Sequence, residues 1–174
     1  MLCIRPATAD DAPAIARVHV ETWRSTYAGI IPQHYLDSLT IQNRTVSWVR
    51  LLERAAGGLT TMVSEDHDGR VVGFVAAGPL RHRDPRFQAE ISSLYVLRSH
   101  QHGSHGRRLF MAAANRLSER GYRGLFVWVL ADNPARTFYE ILGGEEVGET
   151  TRAFAGKMLT EVGYGWTDIP NYTE

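Results

Sequence analysis

Between Glu90 and Leu130 the chain passes from an apolar segment through a Gly/His-rich turn into an amphipathic stretch, and then straight into a second apolar run. Residues 94–97, Leu-Tyr-Val-Leu, read as the end of a buried strand. Residues 125–130, Leu-Phe-Val-Trp-Val-Leu, are apolar without alternation, as a strand buried on both faces of a parallel sheet requires. Between them, residues 104–120 set Leu109, Phe110, Ala113, Ala114 and Leu117 on one helical face and leave Arg116, Glu119 and Arg120 for solvent. Parallel neighbours joined by a helix cross over right-handed, so this segment predicts one β-α-β unit within a larger sheet.

The strand-to-helix turn, residues 98–108, exposes backbone N–H groups at the positive end of the helix dipole, where an anion binds. Arg107 and Arg108 fall in the first helical turn, and cations there oppose the dipole by roughly 0.3–1 kcal/mol each. A bound anion reverses that penalty; otherwise the two arginines simply extend into water. Their pairing with Gly103 and Gly106 favours the anion, and a phosphate-bearing cofactor is its natural source. Neither G-x-x-x-x-G-K-[ST] nor G-x-G-x-x-G occurs, which argues against a P-loop nucleotide hydrolase and a dinucleotide-binding Rossmann unit.

The 174 residues suit one domain, 1–174, with a substantial core. Nineteen basic residues balance nineteen acidic ones without blocks of like charge, so neither a nucleic-acid nor a membrane partner is implied. Cys3 is the only cysteine; it excludes an internal disulfide and fits a reducing compartment. With no signal-peptide pattern and no apolar run of spanning length, the cytoplasm is the expected location.

Along the chain, residues 2–5 read as a short strand stopped by Pro6. Thr8-Ala9-Asp10-Asp11 caps a helix carrying Ile15, Val18, Thr22 and Trp23, which ends near residues 27–29. Pro32 opens a short helix through Leu36. Residues 43–54 form another, with Val46, Val49 and Leu52 or Glu53 about a turn apart, stopped by Gly57-Gly58. Residues 60–64 and 71–77 make a hairpin around Asp66-His67-Asp68-Gly69. Residues 88–97 lead into the anion-binding turn. Residues 145–150 are a strand, and Met158, Thr160, Val162, Tyr164 and Trp166 alternate as a half-buried strand does. The basic segment 80–86 reads as a loop near the cleft, either attracting an acidic acceptor or phosphate or forming a solvated hairpin tip.

Leu94-Tyr95-Val96 followed by Gln101-His102-Gly103-Ser104-His105-Gly106 resembles the acyl-CoA signature of the GNAT superfamily of N-acyltransferases, Gln/Arg-x-x-Gly-x-Gly/Ala. Gln101 and Gly106 match; Ser104 stands at the first glycine position. Residues 133–144, with Asn133, Ala135, Phe138-Tyr139 and Leu142-Gly143, resemble the family's second helix motif, one residue shorter between Asn and Tyr than its commonest form. With Ile4-Arg5-Pro6-Ala7 at the start, the resemblance spans nearly the whole chain.

The resemblance implies an α/β fold, a mixed central sheet of about six to seven strands flanked by helices, with a splayed parallel strand pair forming the acyl-CoA cleft. Acetyl-CoA is then the acyl donor, and no metal is called for. The backbone of Leu94, Tyr95 and Val96 would meet the pantetheine arm, with the Val96 N–H polarising the thioester carbonyl. Gln101, His102, Gly103, Ser104, His105, Gly106 and Arg107 would surround the pyrophosphate, and Asn133 would also contact the cofactor. Tyr139 would donate a proton to the CoA thiolate. Glu90 is the first candidate for the base that deprotonates the acceptor, with His82 and Glu21 as alternatives; a solvated strand-end carboxylate is the competing reading of Glu90.

The implied reaction moves acetyl to a primary amine of a small molecule or peptide by direct attack in a ternary complex, and a homodimer is compatible with it. A catalytically inactive CoA-binding sensor on the same fold, and transfer of a longer acyl chain, are the alternatives. From spacing alone, Trp23 and Tyr27 share one helical face and either line an acceptor pocket or pack in the core. His100, His102 and His105 read as outward-facing groups near phosphate rather than a metal site.

Overall fold

The computed structural model describes residues 3–53 and 58–170. Seven strands form one sheet: β1 (Cys3–Pro6), β2 (Thr60–Glu65), β3 (Val71–Asp84), β4 (Phe87–Val96), β5 (Leu125–Leu130), β6 (Glu145–Phe154) and β7 (Lys157–Trp166), in the order β1-β2-β3-β4-β5-β7-β6. Five helices cover it: α1 (Ala12–Thr26), α2 (Gln33–Ser38), α3 (Ile41–Glu53), α4 (His105–Glu119) and α5 (Arg136–Ile141). Every neighbouring pair is antiparallel except β4–β5, which is parallel and joined by α4. The β-α-β unit expected from the sequence is therefore present, and Leu109, Phe110, Ala113, Ala114 and Leu117 are all fully buried beneath α4.

The two faces of the sheet hold different cores. Val75, Ala89, Ile91, Val127 and Val129 pack under α4 and α5, whereas Phe74 and Ala76 pack against Ile15 and Val18 of α1 and Trp48 of α3. A third cluster gathers Val20, Tyr27, Ile31, Leu36 and Leu159 between α1, α2 and the β6–β7 hairpin. No helix among the described residues is long and apolar enough to cross a membrane.

Two local expectations need correction. Segment 80–86 is not a free loop: residues 80–84 extend β3, and the chain turns back into β4 only at Phe87. These residues form the far end of the β3–β4 hairpin, with Asp84 opposite Phe87 and Arg81, His82 and Arg83 exposed, so the solvated hairpin tip is the reading that holds. In α3 the apolar spacing favoured Val46, yet Val46 is exposed and Trp48 takes the buried position, because the indole reaches between α1 and Phe74. Leu2, Arg54 and Gly57, which bounded the expected first strand and third helix, lie outside the described residues.

Candidate active site

Parallel pairing between β4 and β5 covers only Ala89↔Leu125, Glu90↔Phe126 and Ile91↔Val127. Beyond it, β4 continues on β3 as far as Val96↔Gly73, and β5 continues on β7 as far as Leu130↔Glu161. The two strands thus keep their outer partners while losing each other, which opens the sheet along residues 92–96. An extra residue at Ser92 shifts the β3–β4 register at the start of the opening, and bulges of this kind bend and twist a strand. The Leu97 amide donates to Val72 O at 2.9 Å, towards β3. Successive amides along a strand face opposite edges, so the Val96 N–H is turned into the opening and Tyr95 presents its backbone to β3. The Val96 carbonyl, on the same edge as its amide, accepts from Gln101 Nε2 at 3.0 Å.

The α4 turn lies at the end of this opening. Ser104 occupies the N-cap without a side-chain capping bond, and the first turn contains no acidic residue. His102 is held at φ 62°, a left-handed conformation that costs about 1–2 kcal/mol for a non-glycine residue. A Cβ at Gly106 would stand 3.5 Å from the Phe138 ring and 3.9 Å from Val96, in ordinary contact. The fold does not need a glycine there, although glycine in a helix costs roughly 1 kcal/mol relative to alanine. What glycine leaves free is space beside the helix N-terminus, so the turn fits a phosphate-bearing ligand.

Of the three neighbouring histidines, His105 turns inward rather than outward. Its Nδ1 lies 2.6 Å from Oγ of the fully buried Ser64. Burial first, then the adjacent His100, lowers its pKa, so this ring resists taking up a positive charge. Among the described residues the histidines do not converge as a metal cluster; the acidic group that does is Asp66, His67 and Asp68 at the β2–β3 turn.

Tyr139 is fixed by the end of its helix. The Gly144 amide donates to Tyr139 O and the Gly143 amide to Glu140 O, both at 2.9 Å, which is the Schellman arrangement. Gly143 takes the left-handed conformation at φ 82°, and a Cβ on Gly144 would fall 2.6 Å from Trp166. The Tyr139 side chain is buried, its ring stacks on Tyr164, and its hydroxyl has no hydrogen-bond partner among the described residues. Burial, then the Tyr95 hydroxyl, raises its pKa, so the phenol remains protonated across the physiological range. Asn133 is also buried, but its Oδ1 accepts the Ala135 amide at 2.9 Å and caps the turn before α5.

On the opposite face, a cleft of about 590 Å³ lies between α1, α3, β3 and β4. Glu90 lines it at 4 % exposure, mid-strand and ion-paired with Arg81, whose amide also faces the carboxylate. It is thus not a solvated strand-end group. Ser92, Ser93, His19, Arg44 and Trp48 share the cleft. His82 is exposed and lies against Phe126 and Trp128. Glu21 belongs to a second cleft of about 510 Å³ with Ser25, Leu97 and Arg98, and pairs with Arg17 at 3.5 Å. Trp23 and Tyr27 do share a face, with ring centroids 5.1 Å apart. Trp23 is half-buried beside Tyr35 and Phe154, while Tyr27 sinks into the third core cluster, where burial and then Tyr95 raise its pKa.

Comparison with known proteins gives the family of the chain and the relatives of its fold. Residues 18–143 match the model of the acetyltransferase (GNAT) family. The chain belongs to the GNAT acetyltransferase family. Over 169 residues it is 37 % identical to the uncharacterized N-acetyltransferase YuaI of Bacillus subtilis, covering 97 % of this chain and 95 % of that protein. The fold is also that of the PaiA N-acetyltransferase of Thermoplasma acidophilum, solved in complex with coenzyme A. There the TM-score is 0.73 at 20 % identity, covering 92 % of this chain and 98 % of that one. A GNAT superfamily phosphinothricin acetyltransferase of Sinorhizobium meliloti, solved with acetyl-CoA, gives a TM-score of 0.73 at 20 % identity over 95 % and 87 % of the two chains. As a GNAT member, the protein is an acyl-CoA-dependent acetyltransferase.

Sequence reasoning missed His19, Arg44, Ser92 and Ser93. A lone histidine inside an amphipathic helix and a single arginine in the next one carry no pattern, and only the packing of α1 against α3 brings them to one cleft.

Proposed function

We propose that this protein transfers the acetyl group of acetyl-CoA to a primary amine of a small molecule or peptide, by direct attack while both substrates are bound. The observation that carries this reading is the divergence of β4 from β5 beyond Ile91↔Val127, with the Val96 amide turned into the gap. A buried amide without a strand partner demands one from a ligand, and a thioester carbonyl and the amides of a pantetheine arm supply it. The unpartnered first-turn amides of α4, beside the open flank of Gly106, then suit the pyrophosphate.

The residues divide the chemistry as follows. The Val96 N–H receives the negative charge that develops on the carbonyl oxygen, an interaction whose loss in other acyl-transfer enzymes costs about 3–4 kcal/mol. An alkylammonium has a pKa near 10, so one proton must leave before the nitrogen can bond to the acyl carbon. Glu90 accepts the next proton, directly or through a water, as the C–N bond forms and the C–S bond breaks. The Tyr139 O–H donates to the departing sulfur, which becomes the thiol. Counted from the ammonium, the nitrogen loses two protons, the first to solvent and the second to Glu90. The sulfur takes one from Tyr139, whose oxygen is reprotonated through solvent as Glu90 gives its proton up. The net products are amide, thiol and one H⁺, with no redox partner or covalent enzyme intermediate needed.

Tyr139→Phe tests this assignment. Since the hydroxyl has no partner among the described residues, its loss should barely change stability. Turnover should fall about 10²–10⁴-fold while acetyl-CoA affinity stays within a few-fold. Undiminished turnover would remove Tyr139 from the reaction.

A further inference from the structure

The acceptor cleft holds a cation without a carboxylate partner and a buried donor without a hydrogen-bond partner among the described residues. Arg44 of α3 is half-buried, and among the described residues no carboxylate comes within ion-pair distance of it. Its contacts are a long 3.4 Å bond to the Tyr35 hydroxyl and a position 6.0 Å above the Trp23 ring. His19, on α1, is 7 % exposed and lines the same cleft. Its Nδ1 accepts from the Trp48 indole N–H at 3.3 Å, and a neutral imidazole that accepts at Nδ1 carries its proton on Nε2. The ring is neutral because burial, helped by Arg44, depresses its pKa to about 4. That Nε2 is buried without a hydrogen-bond partner.

The other charged groups of the cleft cancel: Glu90 is matched by Arg81. One uncompensated guanidinium remains, together with an orphaned N–H donor. A buried donor left unpaired costs about 1–3 kcal/mol, and a partly buried cation more, so their natural complement is an oxyanion. Their donor-only character also excludes His19 as the base, since its free nitrogen already holds the proton.

From this arrangement we infer that the acceptor amine carries an acid group, a carboxylate or similar oxyanion, which Arg44 binds with the support of the His19 Nε2–H. The inference rests on the acetyl-transfer reading and deepens it. The acid anchors one end of the acceptor while its amino group reaches towards Glu90 and the serines of the β4 bulge. Trp48 is a positioning residue, because it fixes the imidazole tautomer.

The test is acetylation of matched pairs: L-amino acids and the amines formed by their decarboxylation, such as L-phenylalanine with phenethylamine and L-leucine with isoamylamine. CoA release and the mass of the acetylated product are followed for the full chain and for Arg44→Gln. At least one acid-bearing member should exceed its acid-free partner in kcat/KM by roughly tenfold or more, as loss of a charge-assisted hydrogen bond implies. Arg44→Gln should bring that ratio to within about threefold of unity, mainly through KM, with acetyl-CoA affinity retained. Equal use of the two members, or a ratio unaltered by Arg44→Gln, overturns the acid-group inference while leaving acetyl transfer intact. Wild-type protein that binds acetyl-CoA yet acetylates no amine in an extended panel overturns both.

Discussion

Acid should destabilise this protein from within its acceptor cleft, through His19. The ring titrates near 6.5 in an unfolded chain and near 4 in the folded one, chiefly because burial disfavours the cation. Above pH 6.5 both states hold a neutral ring, and His19 contributes no pH dependence. As the pH falls from 6.5 towards 4, the unfolded chain takes up a proton that the folded chain refuses, so stability declines. Linkage puts the loss at about 2 kcal/mol by pH 5 and about 3 kcal/mol by pH 4. His19→Gln removes the titrating group and also the acceptor for Trp48, so it should be less stable than wild type at pH 7.5 by a fixed amount. In urea titrations at both pH values, that deficit should shrink by about 2 kcal/mol at pH 5. Acidic groups such as Asp11, which Arg5 holds at a lowered pKa, are common to both chains and cancel in the difference. A deficit that stays constant between pH 7.5 and 5 would show that His19 is not buried neutral, and would refute the tautomer argument with it.

Gly144→Ala should destabilise the protein by about 1–3 kcal/mol, because the new methyl falls 2.6 Å from the Trp166 ring; it should also lower turnover by shifting Tyr139, whose carbonyl accepts the Gly144 amide. A wild-type urea midpoint in this variant would refute the close packing. Cys3→Ala should leave turnover nearly intact, since Cys3 is exposed on the first strand, far along the sheet from the β4–β5 opening. A loss of several orders of magnitude in a folded variant would overturn direct attack.

The central part of the fold was legible because its patterns are strong. A non-alternating apolar run as short as 125–130 reads as a strand covered on both faces, and the apolar face of α4 repeats cleanly enough to name all five buried positions. The Asp-Gly turn at 68–69 marked the β2–β3 hairpin for the same reason. The splay itself has no sequence pattern of its own. It is a loss of pairing between two well-formed strands, and only the resemblance of the following turn to a known signature pointed to it. Trp48 displaced Val46 from the interior because helical spacing alone does not say which stripe faces a neighbour, and a large aromatic able to reach Phe74 and His19 decides the matter. The acceptor cleft was the least legible region. Its members come from α1, α3, β3 and β4, and His19 meets Trp48 across 29 positions of sequence.

Calorimetric titration with acetyl-CoA of wild type and Gly106→Glu tests the central claim most directly. The new side chain begins at a Cβ in ordinary contact with Phe138, and a carboxylate at a helix N-terminus is favourable by about 0.3–1 kcal/mol, so the variant should fold at least as well as wild type. The account predicts saturable binding to the wild type and its loss in the folded variant, where the carboxylate meets the pyrophosphate. Equal binding by both proteins, or none by folded wild type, would contradict a cofactor site at the opening of β4 and β5.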